Sequence, residues 1–494
     1  MRSWLQFADD TALISRDVKS AQALIDLNVA WCHLTGMEIR VDKCVTFGMR
    51  KYAGVYQQFL PNVTINNSII PAVEKNKSFT YLGKIFDFAM DNNTIKEKLV
   101  SKLKEMLNTI SDLKIKSQLK LKILKLYVPA QISFDLKIYD IPISWLTSNL
   151  DNLIVNSVNS WLALPVSACT RVILELPKHK GGHDVQLPSS TAEKLRLTTR
   201  IALKNSSDQD ITAIWNSTSS KNVNLDFIAN NNNSKEEACR ALKLAHQSKI
   251  SKRLSSFKIQ GRILSAIESF DDRAKLKWSS IVNFLPEHLY RFVRKALLQQ
   301  LATASNLHRW GKTQSPKCRL CGAIQTNKHV LSNCSSPSML EKYKKRHDAI
   351  LDILIKGLDP LLDKNSAIYA DLPLSSARQI SELFISLRPD IAIQKTSTID
   401  ILELTVCHET NAVSSRTFKQ TKYKNIEYDL YEKFKNHHVN VFTIEVTTLG
   451  FISDFRLFQN RNLKNNLSDQ ILSEMSKTAI SESYALYCER NSEL

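Results

Sequence analysis

The chain has 494 residues and carries 67 Lys and Arg against 48 Asp and Glu, a formal net charge of +19. A hydrophobic fraction of 43% supports packed cores and excludes wholesale disorder, and at roughly 100–200 residues per domain the length implies about three domains. No stretch approaches the ~18 uninterrupted apolar residues of a membrane span, and the acids Asp9 and Asp10 arrive before a signal-peptide core forms, so neither a spanning helix nor a secretory route is expected; the charge points to a polyanionic partner, either nucleic acid or an anionic membrane surface. Residues 1–95 alternate short apolar runs with turns. Within them Trp4, Leu5 and Phe7, then Asp9-Asp10, then Ala12, Leu13 and Ile14 predict a strand, a tight turn and a strand. Residues 97–165 read as helical: Leu119, Ile123, Leu126 and Tyr127 recur at helical spacing with Lys120, Lys122 and Lys125 interleaved, broken by Pro129 and Pro142. The Asn- and Ser-rich stretch 204–236 has linker composition, and 237–310 is again helical and basic. A cysteine-rich insert at 315–335 follows. From 339 to about 450 the pattern runs helix, strand, strand, helix, strand, and 455–494 is a polar helical tail.

Nine cysteines in so long a chain do not make a disulfide scaffold. Six are scattered. Three cluster with a histidine as Cys318-x2-Cys321-x7-His329-x4-Cys334, which is the ligand chemistry of a tetrahedral zinc site. Four protein ligands leave no open position, so the expected role is structural: a zinc knuckle whose flanking Lys317, Arg319 and Lys328 grip nucleic acid.

Two sets of carboxylates stand out. Asp9 and Asp10 are adjacent hard-oxygen donors suited to Mg²⁺, though an isolated pair also reads as a polar turn. Further on, Arg388-Pro389-Asp390 precedes the strand Ile399–Val406. Period-2 geometry puts Ile401, Glu403 and Thr405 on one face and Asp400, Leu402, Leu404 and Val406 on the other. A carboxylate among aliphatic strand neighbours costs free energy unless paired or metal-bound. Asp390 and Glu403 can hold Mg²⁺ or Mn²⁺ against a scissile phosphate; taken singly, Pro-Asp also reads as a common strand-to-turn dipeptide, Glu403 as an edge-strand acid, and Lys419 and Lys422 as a solvated helix face. A helix over 414–436 carries Lys419 and Lys422, three apart on one side. Lys422 is taken as the water-side lysine and Lys419 as a phosphate contact or substitute. Asp400 ranks behind Glu403 because it points the other way, and Glu409 and Glu382 are expected in supporting positions. Val439–Val446 predicts a further strand.

In order, Phe7-Ala-Asp-Asp10, the Gly36-to-Lys43 turn and Phe79-Thr-Tyr81-Leu82-Gly83 resemble the end of a reverse transcriptase palm. Trp161-Leu-Ala-Leu-Pro165 and Gly181-Gly182 resemble the thumb of non-long-terminal-repeat retrotransposons, with His183 where Leu is usual. The zinc-knuckle spacing and Leu307-His-Arg-Trp310 resemble the branch of those elements that carries a restriction-enzyme-like nuclease. The Asp390/Glu403 pattern resembles a PD-(D/E)xK core. It has Thr405 where the lysine would stand and Lys419-Gln-Thr-Lys422-Tyr423 matching the branch's displaced lysines. Arg346-His347-Asp348, after Lys342, Lys344 and Lys345, matches a triplet ahead of the nuclease; Lys345, Arg346 and His347 are expected to position DNA.

The resemblance implies the C-terminal part of a retrotransposon pol protein with a multidomain α+β and α/β fold. Its expected parts are a truncated palm (1–95), a thumb-like helical region (96–204), a polar linker (205–236), a basic helical region (237–314), a zinc knuckle (315–337), a mixed-sheet endonuclease flanked by helices (338–455) and a helical tail (456–494). It further implies a Mg²⁺-dependent endonuclease that nicks target DNA for target-primed reverse transcription. Asp9, Asp10 and Lys43 would be a polymerase-motif remnant, inactive alone. The implied partners are target DNA and element RNA, with no membrane. The implied location is nuclear, otherwise cytoplasmic. The alternatives are a nucleic-acid-binding remnant without catalysis and an RNA-directed DNA polymerase completed by a missing N-terminal part.

Overall fold

The structure is a computed structural model that describes residues 4–89, 92–218, 223–232, 234–384, 388–433, 437–452 and 467–490. It divides into two compact units, Met1–Lys102 with Ile132–Pro142, and Leu103–Gln131 with Ile143–Leu494.

The first unit holds several hairpins, the helix Val18–Thr35 and parts of the helices Asn93–Asp112 and Ser117–Ile138. Trp4–Phe7 pairs antiparallel with Asp10–Leu13 across a two-residue turn whose Ala8 has a left-handed φ of 53°. The helix Val18–Thr35 starts where the Asp17 carboxylate accepts from the Ser20 amide, and it ends at left-handed Gly36. Its Ile25 packs with Val63, Ile65 and Ile70. The hairpin Phe79–Tyr81 with Lys84–Phe86 turns on Leu82 and Gly83, both at positive φ, the primed-turn geometry that matches strand twist.

The second unit is mostly helical up to residue 310. Gly182 is required there: a Cβ would sit 1.9 Å from the Leu176 carbonyl oxygen. Much of the expected 205–236 linker is helical among the described residues. Gln209–Ser217 and Val223–Asn231 are helices. Leu225 and Ile228 pack against Leu197, Ile201 and Ala238, and Trp215 joins the cluster from the first helix. Composition misled because polar residues that would suit a linker also suit helix ends. The Asp208 carboxylate caps the first helix, and Ser234 with Glu237 forms a capping box for the next, Lys235–Ser256.

The C-terminal part holds a five-stranded mixed sheet. Its order is Arg378–Gln379, Ala367–Ala370, Ile391–Gln394, Thr398–Cys407, His438–Thr447. Ile391–Gln394 runs antiparallel to both its neighbours, while Thr398–Cys407 and His438–Thr447 are parallel over ten residues. A parallel pair needs a crossover, supplied by the helix Ala412–Lys433. One sheet face (Ile391, Ile393, Leu402, Leu404, Ile444, Val446) packs on the helices Pro337–Leu358 and Asp469–Cys488. The other face (Ala392, Ile399, Ile401, Val439) packs with Tyr423 of the crossover helix. The alternation expected for Ile399–Val406 is what the two cores display. Trp278 links the preceding helices to the sheet. Its ring stacks on Phe451 at 3.9 Å and its Nε1–H donates to the Leu449 carbonyl at 2.6 Å. The tail helix begins at Asp469; residues 456–466 of the expected tail lie outside the described residues. No described helix is long and apolar enough to cross a membrane.

Candidate functional site

The antiparallel register Ile391↔Leu402, continued one step, sets Asp390 opposite Glu403. Ala392, Ile401 and Glu403 share a face, so Asp390 shares it too. Asp390 Oδ2 accepts from the Leu404 amide at 2.8 Å, which ties it across the strand to the residue after Glu403. Glu403 is 1% exposed. A buried carboxylate demands partners, and the crossover helix supplies two. Lys419 Nζ lies 2.5 Å from Oε2, and the Tyr423 hydroxyl donates to Oε1. Residues 419 and 423 are one helical turn apart, which is why both reach one acid. Burial, then Glu403, then Asp390 push the Tyr423 hydroxyl far above the ordinary phenol range, so it stays a donor.

The two lysines stand in different surroundings. Lys419 meets Glu403, whereas Lys422 is exposed, its Nζ 5.0 Å from the Tyr423 ring centroid. Asp400 faces away as expected. It pairs with Lys395 at 2.6 Å and accepts from Asn440 at 2.8 Å, a structural bridge. Glu382 caps the short helix Ile380–Leu383, and Glu409 is buried under the Thr448 hydroxyl and the Leu449 amide. Neither acid bonds to the Asp390/Glu403 pair through these groups.

His347 lies on this site. Its Nε2 is 3.5 Å from Asp390 Oδ1 and its Nδ1 is 3.2 Å from Asp348 Oδ1. Burial pulls the ring's pKa down, but the Asp390 and Asp348 carboxylates together outweigh it and hold it at about 9. Arg346, expected at a nucleic-acid surface, is instead 1% exposed. Its Nη1 donates to the Leu331 carbonyl and to Ser483 Oγ, both at 2.9 Å, so it is an internal brace. Lys345, Lys317 and Arg319 are exposed, and Lys328 donates to Asn411 at 2.8 Å.

The four zinc-type residues converge. Their ligand atoms all lie within 4.8 Å of one another. Cys318 opens a tight loop in which its amide donates to Ala323 and the Gly322 amide returns to its carbonyl. A single helical turn, His329–Asn333, brings back the histidine, and Cys334 follows it. Burial lowers the pKa of His329, favouring the neutral ring a metal needs. The Tyr343 hydroxyl donates to the carbonyls of His329 and Val330 and accepts from the Cys334 amide, fixing the returning limb. The group fits a structural zinc site.

The chain is 20% identical over 446 residues to the retrovirus-related Pol polyprotein from type-2 retrotransposable element R2DM of Drosophila melanogaster. The match covers 87% of this chain and 39% of that protein, so the chain spans about two fifths of the relative's length. No protein-family model matches. In the first unit Asp9 and Asp10 sit exposed at the hairpin tip, and Lys43 ends an exposed turn.

The sequence does not single out Arg416 or Glu445, and Tyr423 stands there only as the end of the Lys419–Tyr423 motif. Glu445 is 1% exposed, and its Oε2 holds Arg416 through Nε and Nη2, each at 2.9 Å. Arg416, Lys419 and Tyr423 follow an i, i+3, i+7 stripe, and Glu445 stands beside Thr405 in register. The stripe was readable in principle; its acidic partners became visible with the strand pairing.

Proposed function

We propose that the C-terminal sheet of this chain is a divalent-metal-dependent DNA endonuclease of a non-long-terminal-repeat retroelement, nicking target DNA for target-primed reverse transcription. The observation that carries the reading is the register that opposes Asp390 to Glu403 on one face, with Lys419 on Glu403. Two hard-oxygen donors side by side suit Mg²⁺ or Mn²⁺. A cation held there would polarise the scissile phosphodiester and supply an acidified water. The protein's own contribution is positional. The Leu404 amide fixes Asp390, and Tyr423 and Lys419 both hold Glu403, where the charge of Lys419 would be available to a scissile phosphate. On this geometry Lys419 takes the water-side role and Lys422 the outer phosphate contact. The Cys3His loop with Lys317 and Arg319 would hold nucleic acid next to the site, and chromosomal DNA as substrate makes the location nuclear.

The same reading assigns Asp9, Asp10 and Lys43 to the polymerase side of the chemistry. Two carboxylates on one exposed hairpin do not fix a metal pair, so this chain alone is expected to give no primer extension; robust cDNA synthesis would refute that. The nuclease test is nicking of supercoiled plasmid with Mg²⁺ or Mn²⁺. Asp390→Ala should abolish nicking and leave DNA binding intact. Equal nicking by variant and parent would overturn the reading. A metal-independent gel shift without cleavage would favour a non-catalytic nucleic-acid-binding protein.

A further inference from the structure

We propose that His347 is a positioning residue that orients the Asp390 carboxylate for metal binding; the inference rests on Asp390 being a metal ligand, as proposed above. Asp390 has two oxygens to orient. Oδ2 accepts the Leu404 amide at 2.8 Å, and Oδ1 faces His347 Nε2 at 3.5 Å. The far ring nitrogen faces Asp348 Oδ1 at 3.2 Å, so the imidazole is held between two carboxylates and cannot rotate without leaving one of them. The His347 side chain is only 25% exposed, unlike a residue presented to a nucleic-acid surface.

The ring's position is set independently of Asp390. His347 belongs to the helix Pro337–Leu358. The residue before it, Arg346, is anchored to the Leu331 carbonyl and to Ser483 of the C-terminal helix. One turn earlier, the Tyr343 hydroxyl is bonded to the His329 and Val330 carbonyls and to the Cys334 amide. The turn that bears His347 is therefore fastened to the Cys3His loop and to a second helix. Only then does it deliver an imidazole to Asp390. A donor held this way restricts rotation of the carboxylate on the face that it shares with Glu403. Outer-shell donors of this kind raise metal affinity by about 10–100-fold.

The test uses the full chain and Mn²⁺ alone as probe, with free Mn²⁺ counted by electron paramagnetic resonance at fixed pH. Asp390→Asn, His347→Ala and His347→Gln are compared, and bound zinc is measured on each. Asp390→Asn is expected to lose the Mn²⁺ site. His347→Ala should weaken it by about 10–100-fold with zinc content unchanged. His347→Gln, which keeps an N–H donor, should recover part of the loss. In nicking assays His347→Ala should shift the Mn²⁺ concentration giving half-maximal rate, and saturating Mn²⁺ should restore much of the rate. Parent-like Mn²⁺ binding by His347→Ala, with the site lost in Asp390→Asn, would overturn this inference and leave the nuclease reading standing. Parent-like binding by Asp390→Asn would overturn both. Equal loss in the Ala and Gln variants together with loss of zinc would mark His347 as a folding residue and overturn the positioning role.

Discussion

Lys419 and Lys422 stand three residues apart on one helix, and the structure predicts that their removal differs sharply. Lys419 is 24% exposed and sits 2.5 Å from Glu403, whose side chain is 2% exposed. Removing one partner of a buried pair leaves an uncompensated charge and costs about 3–5 kcal/mol. Tyr423 still donates to Glu403 in such a variant, so the lower end, about 3 kcal/mol, is expected for Lys419→Ala. Lys422 is exposed, and Lys422→Ala should fall within about 0.5 kcal/mol of the parent. A chain of this size need not unfold in one step, so the assay is local. Native-state hydrogen exchange is followed on peptides covering Thr398–Cys407, where a loss of about 3 kcal/mol accelerates exchange by about a hundredfold. Adding Glu403→Gln to Lys419→Ala removes the stranded charge and should restore most of the protection. Equal acceleration in the two lysine variants, or no relief from Glu403→Gln, would refute the reasoning.

The purified chain should hold one zinc, measured by elemental analysis. Cys334→Ser should release it and expose the amides of residues 317–333 to exchange, because the loop has little core of its own; unchanged protection would contradict a structural metal. Glu175 is half-buried, and desolvation raises its carboxyl to about 7 although the Ser190 hydroxyl opposes the shift. A raised folded-state pKa means stability is lost as pH climbs from the unfolded value near 4.5 to about 7. Glu175→Gln should therefore match the parent near pH 4 and exceed it by about 2–3 kcal/mol at pH 8. A gain in melting temperature that does not change with pH would refute this. Replacing Lys317, Arg319 and Lys345 by Ala should reduce the slope of log affinity for DNA against log salt by about 0.9 for each phosphate that is no longer neutralised; an unchanged slope would mean that the DNA backbone is held by other cations.

Much of the sheet was legible in the residues. The alternation of Ile399–Val406 required two different faces, and both cores obey it. The Cys318–Cys334 spacing pointed to a cluster because a Cys-x2-Cys turn delivers two sulfurs from one tight loop and the closely spaced His329 and Cys334 can return to it, and the ligand atoms do converge. The helical pair at 209–231 was hidden because polar composition at caps and outer faces resembles a linker until the apolar residues find a partner helix.

By itself the sequence determined the local periods, the donor types and the charge, all consequences of backbone geometry and side-chain chemistry. The tertiary structure decided which group meets which. Strand register brought Asp390 opposite Glu403, helix phase chose Lys419 over Lys422, and packing buried Arg346 while turning His347 onto Asp390. Those choices depend on contacts between segments tens of residues apart, and no local pattern encodes the angle at which a helix settles on a sheet.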